Sequence, residues 1–309
     1  MEDIKIDVPV LVIGFNRPEV IRQSFEFVRK AQPAKLYVAI DGPRADKEGE
    51  ADLVDEVKTI VQQVDWECET HYNFNTENKG AEITVSSAIA WVLEQEEFVI
   101  VLEDDIIAPM AFLRFAQEML IRYKDEPTIA IVSGCNFTPL PTPNGEDYFF
   151  AKYGHSWGWA TWQRVWKDFD LNIEIKNEHL KLEFLKTITN STKEAKYYRK
   201  LFKRLRKNGI GNNTWDYMFL YTNFAKNMCA IVPKVNLTSN IGTFGLHAKG
   251  ITEHHFRAYD AEFVVKKHPE KVECWMEYDR HHFITYIYQP KPLFKRILRK
   301  LKRIILRFC

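Results

Sequence analysis

Residues 98–109, FVIVLEDDIIAP, place five apolar residues directly before three consecutive acidic residues. The run Phe98–Leu102 has the composition expected of a strand that is buried on both faces of a parallel sheet. Glu103, Asp104 and Asp105 would then lie at the carboxyl end of that strand, where open α/β sheets bind their ligands. This stretch therefore predicts a strand that brings acidic side chains to a ligand site.

Strand and helix patterns alternate around this stretch through the first half of the chain. Strands are predicted at Val8–Phe15, Leu36–Ile40, Glu69–Phe74, Phe98–Leu102 and Ile129–Ser133, with helices between them. The alternation predicts an α/β fold with a doubly wound, mostly parallel sheet flanked by helices. After Thr138 it gives way to a proline-rich loop and a tryptophan-rich stretch, with no linker that would separate two domains.

We therefore predict one catalytic domain over residues 1–260. Its donor half covers about residues 1–137 and its acceptor half about 138–260, and residues 261–309 form a C-terminal extension.

Three adjacent carboxylates repel one another unless a cation or hydrogen bonds offset their charge. A hard divalent cation with oxygen ligands fits Glu103-Asp104-Asp105, and a nucleoside diphosphate would add oxygens to the same ion. The alternative is a solvated turn or helix N-terminus, where Asp and Glu are common.

The segment VLEDDIIAP (101–109) resembles the strand-to-helix metal motif of the GT-A glycosyltransferases. VPVLVIGFNRPEVIRQ (8–23) and AIDG (39–42) resemble the first strand and the Asp-containing turn of the inverting N-acetylglucosaminyltransferases that start complex N-glycan assembly, and of related bacterial glycosyltransferases. The resemblance covers about residues 8–137 and extends less closely over 150–250. It implies a GT-A type, Rossmann-like nucleotide-sugar-binding sheet, and metal-dependent transfer of a sugar from a UDP-sugar with inversion.

The resemblance also implies roles for individual residues. The donor contacts would be Arg17 with the uridine or diphosphate, Asp41 with the uracil, the loop of Lys79 and Gly80 with the nucleotide, Glu103 with the sugar and Asp104 with the ribose. Asp105 would bind Mn²⁺ or Mg²⁺, and His247 matches a late histidine near the metal. Without the resemblance, Arg17 and His247 read as surface residues and Asp41 as an ordinary Asp-Gly turn.

An inverting transfer needs one carboxylate to take the proton of the acceptor hydroxyl. The segment TWDYM (214–218) resembles the Trp-Asp segment that carries this base, so Asp216 is the predicted catalytic residue. The alternative is a carboxylate that only stabilises a helix N-terminus.

The segment SWGWATW (156–162) resembles the acceptor loop of these enzymes. Aromatic rings stack on sugar faces and glycine permits close approach, so Trp157, Gly158 and Trp159 are predicted to bind the acceptor. The alternative is an aromatic core beneath a loop.

The charge of the chain is unevenly distributed. The whole chain has 43 basic and 42 acidic residues, but its last 19 residues contain eight basic residues and no acidic one. Residues 1–290 therefore carry a net charge of −7, which argues against a nucleic-acid-binding body.

Residues 291–309 have the pattern of an amphipathic helix, with the apolar side chains on one arc. The opposite arc contains Lys295, Arg296, Arg299, Lys300, Lys302, Arg303 and Arg307. This pattern predicts binding to an anionic membrane surface, and a docked or a dimerising helix are the alternatives.

The five cysteines are odd in number and form no CxxC pair, which favours a reducing compartment over a disulfide scaffold. Acidic residues precede a short apolar run at the N-terminus, the reverse of a secretory signal. We therefore expect a cytoplasmic protein, peripheral at the cytoplasmic face of the membrane, that transfers a sugar, GlcNAc being the first to test, to a lipid-linked glycan acceptor in surface polysaccharide synthesis. The alternatives are a glycoside hydrolase with paired carboxylates and a catalytically silent, sugar-binding membrane adaptor.

Overall fold

The structure is a computed structural model that describes residues 5–208, 215–243 and 255–288. The strands in these residues are β1 Val10–Gly14, β2 Lys35–Ile40, β3 Glu69–Phe74, β4 Phe98–Glu103, β5 Ile106–Ile107, β6 Ile129–Ser133, β7 Tyr148–Ala151, β8 Trp159–Trp162, β9 Cys229–Pro233 and β10 Ser239–Asn240. The helices are α1 Pro18–Ala31, α2 Glu50–Val61, α3 Ala81–Leu93, α4 Met110–Arg122, α5 Gln163–Trp166, α6 Leu182–Thr189, α7 Thr192–Asn208, α8 Trp215–Ala225 and α9 Met276–His282. A 3₁₀ turn lies at Glu178–Leu180 and a π-helical turn at Phe283–Ile287.

Eight strands form one sheet in the order β3-β2-β1-β4-β8-β6-β9-β7. The first four are parallel neighbours, and β1, β2 and β3 are each followed by a helix that crosses back to the next strand. β8 pairs antiparallel with both β4 and β6, while β9 is parallel to β6 and antiparallel to β7. The predicted fold class, an α/β fold with a mostly parallel sheet flanked by helices, is confirmed.

The first strand-helix unit shows why these residues form these elements. β1 is buried along its whole length, as its continuous apolar run predicts. Pro18 is the first residue of α1. A backbone N–H at this position has no acceptor within the helix, so the absence of an N–H in proline costs no hydrogen bond. Ile21, Phe25 and Val28 recur at helical spacing and are buried against the sheet.

β8 corrects part of the prediction for residues 156–162: the segment was expected to form a loop, but Trp159–Trp162 form a strand. Trp159, Ala160, Thr161 and Trp162 are all buried. The strand lies inside the sheet, and the indole N–H of Trp162 donates to the carbonyl of Leu120 at 2.9 Å. A short strand that is covered on both faces shows no alternation of polar and apolar residues. The pattern that would identify it as a strand is therefore missing, and its sequence can be mistaken for an aromatic loop.

The described cysteines correct a second expectation. Cys229 at the start of β9 forms a disulfide with Cys274, whereas reduced cysteines were expected. Cys68 and Cys135 are free thiols. Cys229 and Cys274 are 45 residues apart in the sequence. They come together because the segment of Cys274 forms a β-bridge with Phe150 at the edge of the sheet.

Part of the predicted C-terminal extension packs onto the sheet. Phe263 and Tyr278 belong to the same core cluster as the strands, and Phe283 packs in a second cluster with α6, α7 and α8. The exact domain boundaries stay a prediction. In the described residues, no helix is both long and apolar enough to cross a membrane, and the helix predicted for 291–309 lies outside them.

Asp279 in α9 is a buried carboxylate whose charge is poorly compensated. Its Oδ1 accepts a hydrogen bond from the backbone N–H of Lys152 at 2.9 Å, and its residue exposure is 6%. Burial raises the pKa of Asp279 to about 7. The folded state therefore holds this proton to a higher pH than the unfolded state does, and the contribution of Asp279 to stability falls as the pH rises from about 4 to about 7.

We expect Asp279→Asn to stabilise the protein at pH 8 by on the order of 2 kcal/mol, because the amide keeps the acceptor oxygen without the buried charge. Near pH 4.5 the two proteins should unfold alike. Urea unfolding at both pH values measures this, with Glu277→Gln, an exposed change in the same helix, as the control. If Asp279→Asn and the wild type had equal free energies of unfolding at pH 8, the buried charge of Asp279 would not destabilise the protein.

Candidate functional site

The acidic residues lie where the parallel strands β1 and β4 end beside each other. Ile13 of β1 pairs with Glu103 of β4, so the next residues of both strands meet at one edge of the sheet. Arg17, just before α1, donates from Nε to Asp104 Oδ2 at 3.2 Å, and its Nη2 also contacts Asp104 Oδ1. The same Nη2 donates to Asp105 Oδ2 at 3.0 Å. One guanidinium therefore bridges the two aspartates.

Arg17 stays charged in this position. Its partial burial disfavours the charged form, but the carboxylates of Asp104 and Asp105 raise the pKa of Arg17 above its ordinary value. The Asp104 side chain is only 6% exposed, so it depends on this partner. Ser24 of α1 holds the same turn by donating its hydroxyl to the Asp104 carbonyl at 2.7 Å.

Asp105 is fixed from the other side by the residues around β10. The amide of Asn240 donates to Asp105 Oδ1 at 3.2 Å, and the backbone N–H of Ile241 donates to the Asp105 carbonyl at 2.9 Å. Gly242 lies so close that an added Cβ would be 2.1 Å from Asp105 Oδ2. The carboxylate of Asp105 is therefore positioned by a backbone that has no room for a side chain.

Gly242→Ala should consequently displace the carboxylate of Asp105. The methyl group can be accommodated only if Asp105 moves, since the backbone around it is hydrogen-bonded. We expect a stability loss of about 1–2 kcal/mol, and a fall of about tenfold or more in the Mn²⁺-dependent nucleotide binding that the sequence predicts. Calorimetric titration measures the second effect. Gly145→Ala, in a loop with open space around it, should leave nucleotide binding unchanged.

Glu103 completes the acidic cluster. Burial raises the pKa of Glu103 well above its usual range, and the charges of Asp105 and Asp104 raise it further. Asp216 contributes in the same direction, so Asp216 and Glu103 are close enough to repel each other. Arg17 is the opposing charge that acts on Glu103. The cluster thus holds more negative charge than Arg17 offsets, and a cation would relieve it.

Asp216 lies in the first turn of α8, on the wall of a cavity of about 1150 Å³. Asp216 is exposed to solvent, and it lines the cavity. Surrounding protein groups nevertheless partly desolvate its carboxyl group. This desolvation raises the pKa of Asp216, while hydrogen bonds with the backbone of the first helical turn lower it. The charge of Glu82, in the first turn of α3, raises it further. The structure therefore brings the predicted base beside the predicted donor cluster.

Asp41 binds its own loop. Its carboxylate accepts hydrogen bonds from the side-chain amides of Asn75 at 3.1 Å and Asn78 at 2.9 Å, and from the backbone N–H groups of Lys79 at 2.9 Å and Gly80 at 3.0 Å. The backbone N–H of Gly42 donates to it at 3.0 Å. Asp41 therefore fixes the loop of Lys79 and Gly80 beside the strand ends, and its contact with a uracil ring stays a prediction.

The three predicted acceptor residues are placed differently. Trp157 is half-buried, with its ring centroid 5.2 Å from that of Phe137. Gly158 has φ +75°, and an added Cβ would lie 2.8 Å from Thr238 Cγ2, which explains the glycine. Trp159 is fully buried and stacks on Trp215 at 5.6 Å, so it is a core residue without surface for an acceptor.

None of these three residues lines the cavity that contains Asp216. The cavity is lined instead by side chains that the sequence analysis missed, notably Tyr153, Tyr197, Tyr217 and the lysines of α7. The spacing of the basic residues along α7 was the one feature of the sequence that could have indicated this cavity wall.

The described carboxylates fit a divalent cation only in part. Among residues 5–208, 215–243 and 255–288, no group of three or more His, Cys, Asp or Glu side chains is arranged to bind one metal ion. Mg²⁺ and similar ions are nevertheless bound by one or two carboxylates when phosphate oxygens and water complete the coordination. Asp105 fits such a shared site, and His247, the second predicted ligand, lies outside the described residues.

Comparisons with known proteins give partial likenesses. The sequence matches no protein-family model, and no curated protein sequence matches it significantly. A solved structure of a mannosyltransferase from Pyrobaculum calidifontis, in complex with GDP-Man and Mn²⁺, is similar over 50% of this chain and 44% of its own, with 18% identity and a TM-score of 0.34. A 4-diphosphocytidyl-2C-methyl-D-erythritol synthase from Anaerococcus prevotii is similar over 52% of this chain and 74% of its own, with 12% identity and a TM-score of 0.31. The matched part spans less than half of the mannosyltransferase, and the function of this chain is argued below from its own side chains.

Proposed function

We propose that this protein is a metal-dependent, inverting glycosyltransferase of GT-A type that transfers a sugar from a UDP-sugar to a glycan acceptor. One observation carries the proposal: Asp216, a carboxylate that opens into a large cavity, lies close enough to the end of β4 for its charge to act on Glu103. A cation-binding strand end and a carboxylate suited to take up a proton are what this reaction needs side by side.

In the proposed reaction, Asp216 accepts the proton of the acceptor hydroxyl as that oxygen forms its bond to the anomeric carbon. The bond from the anomeric carbon to the diphosphate oxygen breaks on the opposite face, and its electron pair leaves with the diphosphate. The configuration at the anomeric carbon inverts. Partial desolvation by the surrounding protein raises the pKa of Asp216 above its ordinary value, which makes the carboxylate a stronger proton acceptor.

The strand-end residues would hold the donor during this step. Asp105 would hold Mn²⁺ or Mg²⁺ together with diphosphate oxygens, and the ion would stabilise the charge of the leaving group. Arg17 keeps Asp104 and Asp105 in place and would add a positive charge beside the diphosphate. Glu103, which is half-buried and close enough to Asp216 to feel its charge, would contact the donor sugar.

The finer parts of the proposal come from the sequence. GlcNAc is the donor sugar to test first. A lipid-linked acceptor in surface polysaccharide synthesis would suit the basic helix that is predicted for 291–309, with its predicted binding to the cytoplasmic face of a membrane. The full chain should bind to vesicles of phosphatidylglycerol, and a variant that lacks residues 291–309 should not.

The enzymatic proposal is tested by incubating the protein with UDP- and GDP-sugars and Mn²⁺, and following release of the nucleoside diphosphate. We expect release from one donor class, stimulated by the acceptor. Cleavage of a glycoside without any nucleotide sugar would favour a hydrolase instead, and no turnover of any donor would favour a binding protein.

A further inference from the structure

The cavity that contains Asp216 has a strongly positive wall. Its lining includes five basic side chains, Lys152, Lys193, Lys196, Lys200 and Arg204, and Asp216 is its one acidic side chain among the described residues. Four of the five come from α7. The cavity wall is thus far more basic than the body of the chain, which is acidic.

The four basic residues of α7 share one face of the helix. Lys193, Lys196, Lys200 and Arg204 follow one another at spacings of three, four and four residues, which align side chains along a helix. They span about 16 Å along the cavity at the rise of an α-helix. The one acidic residue of the helix, Glu194, is buried and accepts a hydrogen bond from the Tyr153 hydroxyl at 2.9 Å.

These charges have no anionic partners in the described part of the chain. Lys196, Lys200 and Arg204 are exposed and form neither an ion pair nor a hydrogen bond with residues 5–208, 215–243 or 255–288. Like charges at this spacing repel one another on a helix. A ligand with negative charge would relieve that repulsion.

Aromatic side chains surround the same space. Tyr197, Tyr217, Tyr286 and Tyr288 line the cavity together with the basic residues. Such rings bind the faces of sugars, and Lys193 Nζ lies 4.0 Å from the Tyr288 ring centroid, so charge and aromatic surface are adjacent. Tyr217 follows Asp216 in α8 and lines the same cavity as Arg204.

We propose that this cavity binds an acidic glycan acceptor, whose phosphate or carboxylate groups lie along the basic face of α7 while the reacting hydroxyl lies at Asp216. This inference rests on the proposed function, which it deepens by naming the acceptor class. A neutral glycan would leave the basic face uncompensated.

Calorimetric titration of the full chain with trigalacturonate, and with its fully methyl-esterified form, tests the charge requirement. We expect the acid to bind and the ester to bind about tenfold more weakly or not at all, with the difference shrinking in high salt. Glucose 1-phosphate compared with glucuronate shows whether phosphate is preferred to carboxylate. Equal binding of the acid and its ester would overturn the proposal.

Two matched lysine pairs on α7 locate the site. Lys196→Ala/Lys200→Ala removes a pair that lines the cavity, and Lys203→Ala/Lys207→Ala removes an exposed pair at the same spacing that does not. The first should weaken binding of the acid about tenfold and the second about twofold or less. Equal losses of acid binding in both variants would contradict the proposal. It would also be contradicted if the wild type bound phosphatidylglycerol vesicles in preference to the acid and both variants lost the vesicle binding.

Donor turnover separates this inference from the proposed function. Hydrolysis of the nucleotide sugar by the wild-type protein, measured without an acceptor, reports the proposed function independently of the acceptor class. Donor turnover without selective binding of the acid would reject only the acceptor class. Selective binding without any donor turnover would reject the transferase.

Discussion

Asp216→Asn should lower the rate of sugar transfer by about 10³-fold, because an amide cannot take the acceptor proton. Donor binding should change by about twofold or less, since Asp216 lines the cavity and the residues of the acidic cluster do not. Steady-state release of the nucleoside diphosphate in the presence of acceptor, together with a separate donor titration, measures both effects.

A matched control is Glu174→Gln, which neutralises an exposed carboxylate that does not line the cavity. It should leave both the rate and donor binding at wild-type values. Full activity of Asp216→Asn would mean that another group is the base, and equal losses in both variants would indicate a general effect of charge.

Arg17→Met should destabilise the fold by about 3–5 kcal/mol, the cost of leaving a buried carboxylate without its partner. Asp104 would lose both contacts from the guanidinium while remaining almost inaccessible to solvent. Asp105 would lose its 3.0 Å contact as well. Urea unfolding at pH 7.5 measures the change in the free energy of unfolding.

The double variant Arg17→Met/Asp104→Asn serves as the control for charge. It should be more stable than Arg17→Met alone, because the unpaired carboxylate is then absent. A loss below about 1 kcal/mol for Arg17→Met would show that this pair behaves as an exposed surface ion pair.

The parallel half of the sheet was predictable because its strands are local signals. Val10–Gly14 and Phe98–Glu103 are nearly continuous apolar runs, each followed by the residues that form the site. The carboxyl ends of neighbouring parallel strands meet at one edge, so the meeting of Arg17 with Asp104 follows from topology alone.

The rest depends on contacts between distant segments. Trp159 could be read as a binding residue or as a core residue until β8 was placed between β4 and β6. The Cys229–Cys274 disulfide depends on where the segment after residue 255 packs. The basic residues of α7 were visible in the sequence, but the cavity they face is built from several other elements.

The central claim is most directly tested by calorimetric titration of UDP and GDP into the wild-type protein and into Asp105→Asn, with Mn²⁺ and then with EDTA. We predict that one nucleoside diphosphate binds the wild type in Mn²⁺, and that EDTA or Asp105→Asn weakens binding by about tenfold or more. Failure of both nucleotides to bind in Mn²⁺, or the same affinity in EDTA and in Asp105→Asn as in the wild type with Mn²⁺, would contradict the account.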